Sequence, residues 1–160
     1  MQSNQDRVTN PAKAFRLGFS PLGFVAVLLP MIPNALWVLL PPVSSPLTAN
    51  TPFPPWVQLI GLVCQSLMIA LLILVINTRR QPTPGTVVVG LIGALALVGY
   101  LVLWVLYFLT PITPTILVMM AILPSVYFLC VGLYLQNYPS LVPAILFATI
   151  HISDTAMSYL

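Results

Sequence analysis

The sequence contains almost no charged residues. Among its 160 residues, Lys and Arg together contribute 5, Asp and Glu 2, and His 1. An ordinary globular domain has about 25% charged residues, whereas this chain has 4%. So few charges cannot keep a folded surface dissolved in water or a chain disordered. Hydrophobic residues make up 59% of the chain, and the composition therefore predicts a protein whose solvent is lipid.

The residues that enzymes and metal sites use are also scarce. The sequence has no glycine-rich phosphate loop and no C-x-x-C pair, which argues against nucleotide hydrolysis and thiol–disulfide chemistry. Cys64 and Cys130 lie in separate apolar runs, so we expect buried free thiols. One His and one carboxylate within the apolar runs are too few for a zinc site, and a lone His lacks a second haem ligand. We expect no cofactor and no metal, and an enzyme is not favoured.

Long uncharged runs divide the chain into five predicted membrane spans. A bilayer core about 30 Å thick requires about 20 apolar residues in a helix. Runs of this length cover residues 19–40, 56–77, 86–109, 115–136 and 140–160. The last run contains His151 and Asp154, so a re-entrant or interfacial helix is the alternative there. The predicted fold class is all-α, a polytopic membrane helical bundle in which residues 19–160 form one transmembrane domain.

Basic residues predict how the bundle is oriented. Arg7, Lys13 and Arg16 precede the first span, and Arg79 and Arg80 lie between the second and third spans. Basic residues beside membrane spans mark the cytoplasmic side, and they are not arranged here as a nucleic-acid-binding face. The pattern predicts a multi-pass protein of the cell membrane with its N-terminus in the cytoplasm and its C-terminus outside.

The segments outside the spans are short. Residues 1–18 are predicted to be a cytoplasmic tail, either a short interfacial helix over residues 10–18 or an unstructured charged anchor. The uncharged, proline-flanked segment 41–55 is predicted to be an ordered or extended external cap. The first span is too long, and too interrupted by proline, to be favoured as a cleaved signal peptide.

The last span carries the strongest functional signal. An ionisable side chain at the centre of a membrane helix costs about 2.5–3.5 kcal/mol, so its presence suggests a function. His151 and Asp154 are three residues apart, which places them on one helical face where the carboxylate can orient the imidazole. Small and polar residues continue this face: Ala144, Ala148, Thr155 and Ser158. The alternatives are that the pair merely ties the helix to its neighbours, or that Asp154 is hydrated near the surface.

Proline interrupts the first span. Pro30 and Pro33 remove the helical hydrogen-bond partners of the Ala26 and Leu29 carbonyls. A neighbouring hydroxyl, a water molecule or a bound ligand must then satisfy these groups, and interrupted helices of this kind line binding sites in transporters. The alternative is a packed proline kink.

Each span also contains a polar residue at a similar depth. With a rise of 1.5 Å per residue, these residues fall in the middle or outer half of the membrane. If their faces converge, they form an outward-biased pocket from Asn34, Gln65, Tyr100, Ser125, His151 and Asp154.

Two functional hypotheses follow. The first is a protein that binds or transports a small, largely apolar ligand in this pocket, with His151 and Asp154 as a proton-sensitive element. The second is a non-catalytic scaffold or accessory subunit that packs against a larger membrane partner or another copy. Gly90, Gly93 and Gly99 in the third span suggest close helix packing within the chain, and a dimer face is the alternative. An intramembrane hydrolase or isomerase is less favoured because no nucleophile is evident. Under each of these hypotheses the protein is embedded in, and contacts, the lipid bilayer.

Five spans in 160 residues is also the outline of the translocator-protein (tryptophan-rich sensory protein) family. The tryptophan-rich motifs of that family are missing, because the chain contains only Trp37, Trp56 and Trp104. Topology alone assigns no family. These tryptophans, with Tyr107, lie near predicted span ends and suggest an interfacial aromatic belt, although Trp37 or Trp104 could instead line a pocket.

Overall fold

The computed structural model describes residues 14–40 and 52–160. Five long helices and a two-stranded antiparallel ribbon make up this part of the chain. In chain order these elements are β1 Phe15–Leu17, α1 Pro21–Leu39, α2 Pro55–Leu74, β2 Val75–Asn77, α3 Pro84–Leu109, α4 Pro114–Tyr134 and α5 Tyr138–Tyr159. All five helices are long and apolar enough to cross a membrane. The predicted class, a helical membrane bundle with five spans, is confirmed.

Proline positions explain where the helices begin. Four helices have proline as their first residue: Pro21, Pro55, Pro84 and Pro114. The first residues of a helix have no intrahelical partner for their N–H groups, so proline loses nothing there and its fixed φ favours the helix. The side chains of Ser20, Thr83 and Thr113 accept hydrogen bonds from first-turn N–H groups. Helices α2 to α5 begin one or two residues before the spans predicted for them.

A short ribbon replaces helix at two places where the sequence predicted otherwise. Residues 15–17 pair with residues 75–77, with Arg16 opposite Ile76. The predicted second span, 56–77, therefore ends as a helix at Leu74. An interfacial helix over residues 10–18 is wrong for residues 15–17, because their backbone groups pair with β2. Residues 10–13 and most of the predicted external cap, residues 41–51, lie outside the described residues.

Helix α4 is the centre of the bundle. In its most apolar 18-residue window 56% of residues are buried, against 17–28% in the other four helices. Its closest neighbours are α3 and α5, while α2 packs on α5 and α1 packs mainly on α2. A Cβ atom on Gly90 would lie 2.9 Å from the Tyr134 ring, and one on Gly93 would lie 2.9 Å from Cys130 Cβ. These glycines therefore allow α3 and α4 to approach closely.

Polar side chains join the helices at the end of the bundle where Arg16, Arg79 and Arg80 lie, here called the arginine end. Helix α4 stops there because Gln136 adopts a φ of 51°. The Asn137 N–H then donates to the Gly132 carbonyl at 2.8 Å, which satisfies a helix-end acceptor. The buried Asn137 side chain also donates to the carbonyls of Leu71, at 2.8 Å, and Val75, at 3.0 Å. One amide thus ties the start of α5 to the end of α2.

We expect Asn137→Ala to lower the free energy of unfolding by about 1–3 kcal/mol, because the carbonyls of Leu71 and Val75 each lose the hydrogen bond from the buried amide. The measurement is denaturant unfolding of the protein in detergent micelles. Thr149→Ala is the matched control, since the exposed Thr149 hydroxyl bonds only to the Ile145 carbonyl of its own helix. Its effect should stay within about 0.5 kcal/mol. Equal effects of the two substitutions would contradict this role of Asn137.

Candidate functional site: a cavity within the helical bundle

A cavity of about 540 Å³ lies between the helices, and all five contribute to its wall. On α1 and α3 its lining residues lie in the second half of the helix, starting at Pro30 and Tyr100 respectively. On α4, which runs in the opposite direction, the lining extends from Leu117 to Phe128. The cavity therefore occupies the half of the bundle farther from the arginine end. That half faces outside if the predicted orientation holds.

Five of the six predicted pocket residues line this one cavity. They are Asn34, Gln65, Tyr100, His151 and Asp154. The sequence could place them at one depth, and the fold also turns them toward one another. Whether they bind a ligand is taken up below as a proposal.

Ser125 is the predicted pocket residue that the cavity does not include. It is only 2% exposed, and its hydroxyl donates to the Ala121 carbonyl of its own helix at 2.8 Å. Its neighbour Pro124 lines the cavity instead. Successive residues of a helix point about 100° apart, so equal depth did not put Ser125 on the same face.

A hydrogen bond between α1 and α3 forms part of the cavity wall. Asn34 Nδ2 donates to the Tyr100 hydroxyl at 3.1 Å and to the Pro30 carbonyl at 2.9 Å. The amide therefore fixes the position of the phenol in the cavity wall. Asn34 keeps its side-chain oxygen as a further acceptor.

The proline interruption of α1 is satisfied at one position by the protein itself. The Tyr127 hydroxyl of α4 donates to the Ala26 carbonyl at 2.7 Å, the group that Pro30 deprives of its helical partner. A neighbouring hydroxyl was one of the three partners that the sequence suggested for this carbonyl. Because Tyr127 fills that role, the Ala26 carbonyl needs no ligand. Pro30 still lines the cavity, whereas Pro33 is buried outside the lining.

Helix α5 presents the ionisable face of the cavity. The His151 ring stacks on Phe147, with centroids 5.1 Å apart and planes inclined by 12°. Asp154, Thr155 and Ser158 follow along the same wall. The two hydroxyls donate to carbonyls of their own helix, at 2.8 Å for Thr155 and 2.7 Å for Ser158, which leaves their oxygens able to accept.

The aromatic cluster on α3 favours the second of the two interpretations that the sequence allowed for Trp104, a pocket wall instead of an interfacial belt. Trp104 and Tyr107, suggested as parts of an interfacial belt, are 4% and 5% exposed. Trp104 meets Tyr100 edge-on, with ring centroids 6.3 Å apart, and lines the cavity. Its interaction with the Tyr100 hydroxyl falls short of hydrogen-bond geometry, and the buried indole nitrogen has no hydrogen-bond partner in the described residues. The spacing of residues 100, 104 and 107 marks one helical face and was the signal available in the sequence.

The charges of the described residues are separated along the bundle. Asp154 is the only acidic side chain in residues 14–40 and 52–160, and it lines the cavity. No lysine or arginine of residues 14–40 and 52–160 lines the cavity. The described cations, Arg16, Arg79 and Arg80, lie at the opposite end. In the same residues, no group of three or more His, Cys, Asp or Glu side chains forms a metal-binding cluster.

Comparisons of this chain with protein-family models, with curated proteins and with solved structures found no match. No relative therefore supplies a function for the cavity. Its size, lining and charge are the features from which a function can be inferred.

Tyr127→Phe should lower the free energy of unfolding by about 1–3 kcal/mol, because the Ala26 carbonyl loses its donor within the bundle. Thermal unfolding in detergent measures the effect. Tyr138→Phe is the matched control, since Tyr138 is 55% exposed at the start of α5. A stability of Tyr127→Phe equal to that of the control would show that another group satisfies this carbonyl.

Proposed function

We propose that this membrane protein binds, or carries across the membrane, a small ligand with a largely apolar body and one cationic or hydrogen-bond-donating group. His151 and Asp154 form the proton-sensitive element of the site. The observation that carries the proposal is the position of Asp154. The only acidic side chain of the described residues lies in the wall of a cavity that is otherwise mainly apolar and aromatic.

The size and lining of the cavity suit a small organic molecule. Its volume of about 540 Å³ falls within the roughly 300–1,000 Å³ of most small-molecule sites. Rings of Trp104, Phe128 and Phe147 offer large apolar surfaces. Met31 and Met120 add flexible side chains that adapt to irregular ligand shapes. This part of the wall supports binding of the apolar body.

The polar part of the wall favours a positive charge or a donor on the ligand. No lysine or arginine from the described part of the chain contributes to the lining, so these lining residues carry a net negative charge when Asp154 is ionised and His151 is neutral. Charge–charge attraction is much stronger in a low-dielectric interior than in water. The hydroxyl oxygens of Thr155 and Ser158 add acceptors beside the carboxylate.

Protonation gives the site a way to exchange ligand for protons. Adding a proton to His151 or Asp154 raises the charge of the cavity by one, which weakens its attraction for a cation. Histidine ordinarily changes charge between pH 5 and 8. Tyr100 and Tyr159 are the other titratable side chains in the lining, and tyrosines ordinarily stay neutral in that range. We therefore expect ligand affinity to fall as the pH falls.

The glycines of α3 do not by themselves support the scaffold alternative. Gly90 and Gly93 face Tyr134 and Cys130 of α4, and Gly99 faces Leu123 of the same helix. These glycines serve packing within this chain. A partner-binding face therefore does not follow from them.

A single-tryptophan protein tests the ligand class. With Trp37 and Trp56 replaced by Phe, quenching of Trp104 fluorescence reports occupancy of the cavity. A hydrophobic tertiary amine should bind at least about tenfold more tightly than its uncharged isostere, a difference of about 1.4 kcal/mol. Asp154→Asn should abolish this preference. Ser153→Ala, on the same helix outside the lining, should retain it, and equal binding of the two probes by the unsubstituted cavity would reject the proposal.

The pH dependence is a separate prediction. Affinity for the amine should fall by about tenfold or more between pH 8 and pH 5, because protonation makes the cavity less negative. His151→Ala should flatten that profile in the same fluorescence titration. The uncharged isostere should bind almost independently of pH in both proteins. A profile for the amine that His151→Ala and Asp154→Asn both leave unchanged would exclude the pair as the proton-sensitive element.

A further inference from the structure

A second concave surface, the lipid-facing groove, lies on the side of the bundle between α1 and α3. Its volume is about 380 Å³. Leu22, Val25 and Leu29 form the α1 wall, and residues between Val87 and Leu97 form the α3 wall. Helix α4 closes the bottom of the groove with residues between Tyr127 and Leu135. Almost all of this lining is apolar, and the wall side chains are exposed toward the membrane.

The groove has the length of one membrane leaflet. From Val87 to Leu97, ten residues along α3 at 1.5 Å each correspond to about 15 Å. This is half of a hydrocarbon core of about 30 Å. The groove begins near the arginine end, where α3 starts at Pro84, and stops near the middle of that helix. A membrane-spanning helix would require a groove of the full thickness, whereas a single acyl chain requires half of it.

A cation lies at the arginine end of the groove. The Arg80 guanidinium carbon is 4.6 Å from the centroid of the Tyr134 ring, and Tyr134 is itself part of the groove. Arg80 Nε is buried without a hydrogen-bond partner in the described residues. The exposed side chains of Arg16 and Arg79 belong to the same end. The described part of this end contains no acidic side chain.

We propose that the lipid-facing groove binds an anionic phospholipid, with an acyl chain in the groove and the phosphate beside Arg80. Basic side chains between membrane helices are a recurrent means of holding anionic headgroups. A second copy of this chain packed in parallel is a poorer occupant, because it would bring its own arginines to the same level. The proposal is independent of the ligand in the cavity, since the groove and the cavity share no lining residue.

The headgroup part of the proposal is tested by lipid retention. Delipidated protein in detergent is mixed with equal amounts of phosphatidylglycerol and phosphatidylcholine, and bound lipid is counted by native mass spectrometry. We expect a preference for phosphatidylglycerol of about tenfold. Arg80→Gln should remove the preference, whereas Arg79→Gln, at the exposed neighbouring arginine, should reduce it by less than about threefold. Equal retention of both lipids, or equal effects of the two substitutions, would overturn the assignment to Arg80.

The acyl-chain part is tested by filling the groove. Ala94 lines the groove with its side chain exposed, so Ala94→Phe should occupy the space of the chain without disturbing the core. Leu95→Phe is the matched control, because Leu95 is 73% exposed and lies outside the groove. We expect Ala94→Phe alone to abolish retention of phosphatidylglycerol. Undiminished retention of phosphatidylglycerol in Ala94→Phe would show that the groove holds no acyl chain. The same conclusion would follow if glycerol phosphate displaced bound phosphatidylglycerol as effectively as added lipid does.

Discussion

The constraint on which this fold depends is that backbone polar groups within the hydrocarbon layer need partners inside the protein. Helices meet this need except where proline interrupts them or where they end. Tyr127 supplies the donor that Pro30 removes in α1, and Asn137 supplies two donors near the end of α2. Both contacts join elements far apart in the sequence. Satisfying the backbone therefore also connects α1 and α2 to the second half of the chain.

The position of the cavity follows from a change in side-chain size along the helices. Near the arginine end, α3 carries Gly90 and Gly93, and α5 carries the buried Ala144 and Ala148. Small residues let helix axes approach closely. Farther along, α3 carries Tyr100, Trp104 and Tyr107, while α5 carries His151 and Asp154. Four of these larger groups, Tyr100, Trp104, His151 and Asp154, line the cavity, which lies in this half of the bundle.

The same separation applies to charge. The described cations lie at the arginine end, near the lipid-facing groove, and the single described carboxylate lines the cavity in the other half. Because few other charges are present to screen them, these groups set the sign of the potential at each end. The two proposed ligands, a cationic or donor-bearing small molecule and an anionic lipid, follow from those opposite signs.

The sequence by itself determined the class of protein, the number of spans and the depth of the polar residues. These properties depend on composition and on the fixed rise of a helix. Depth was enough to group Asn34, Gln65, Tyr100, His151 and Asp154, and it also wrongly included Ser125. Only the tertiary structure decided which face of each helix turned inward. That choice depends on contacts between distant residues, such as Tyr127 with Ala26, Gly93 with Cys130, and the strand pairing that ended α2 early. Hydropathy is nearly uniform around these helices, because both lipid and core are apolar, and it therefore contains little information about facing.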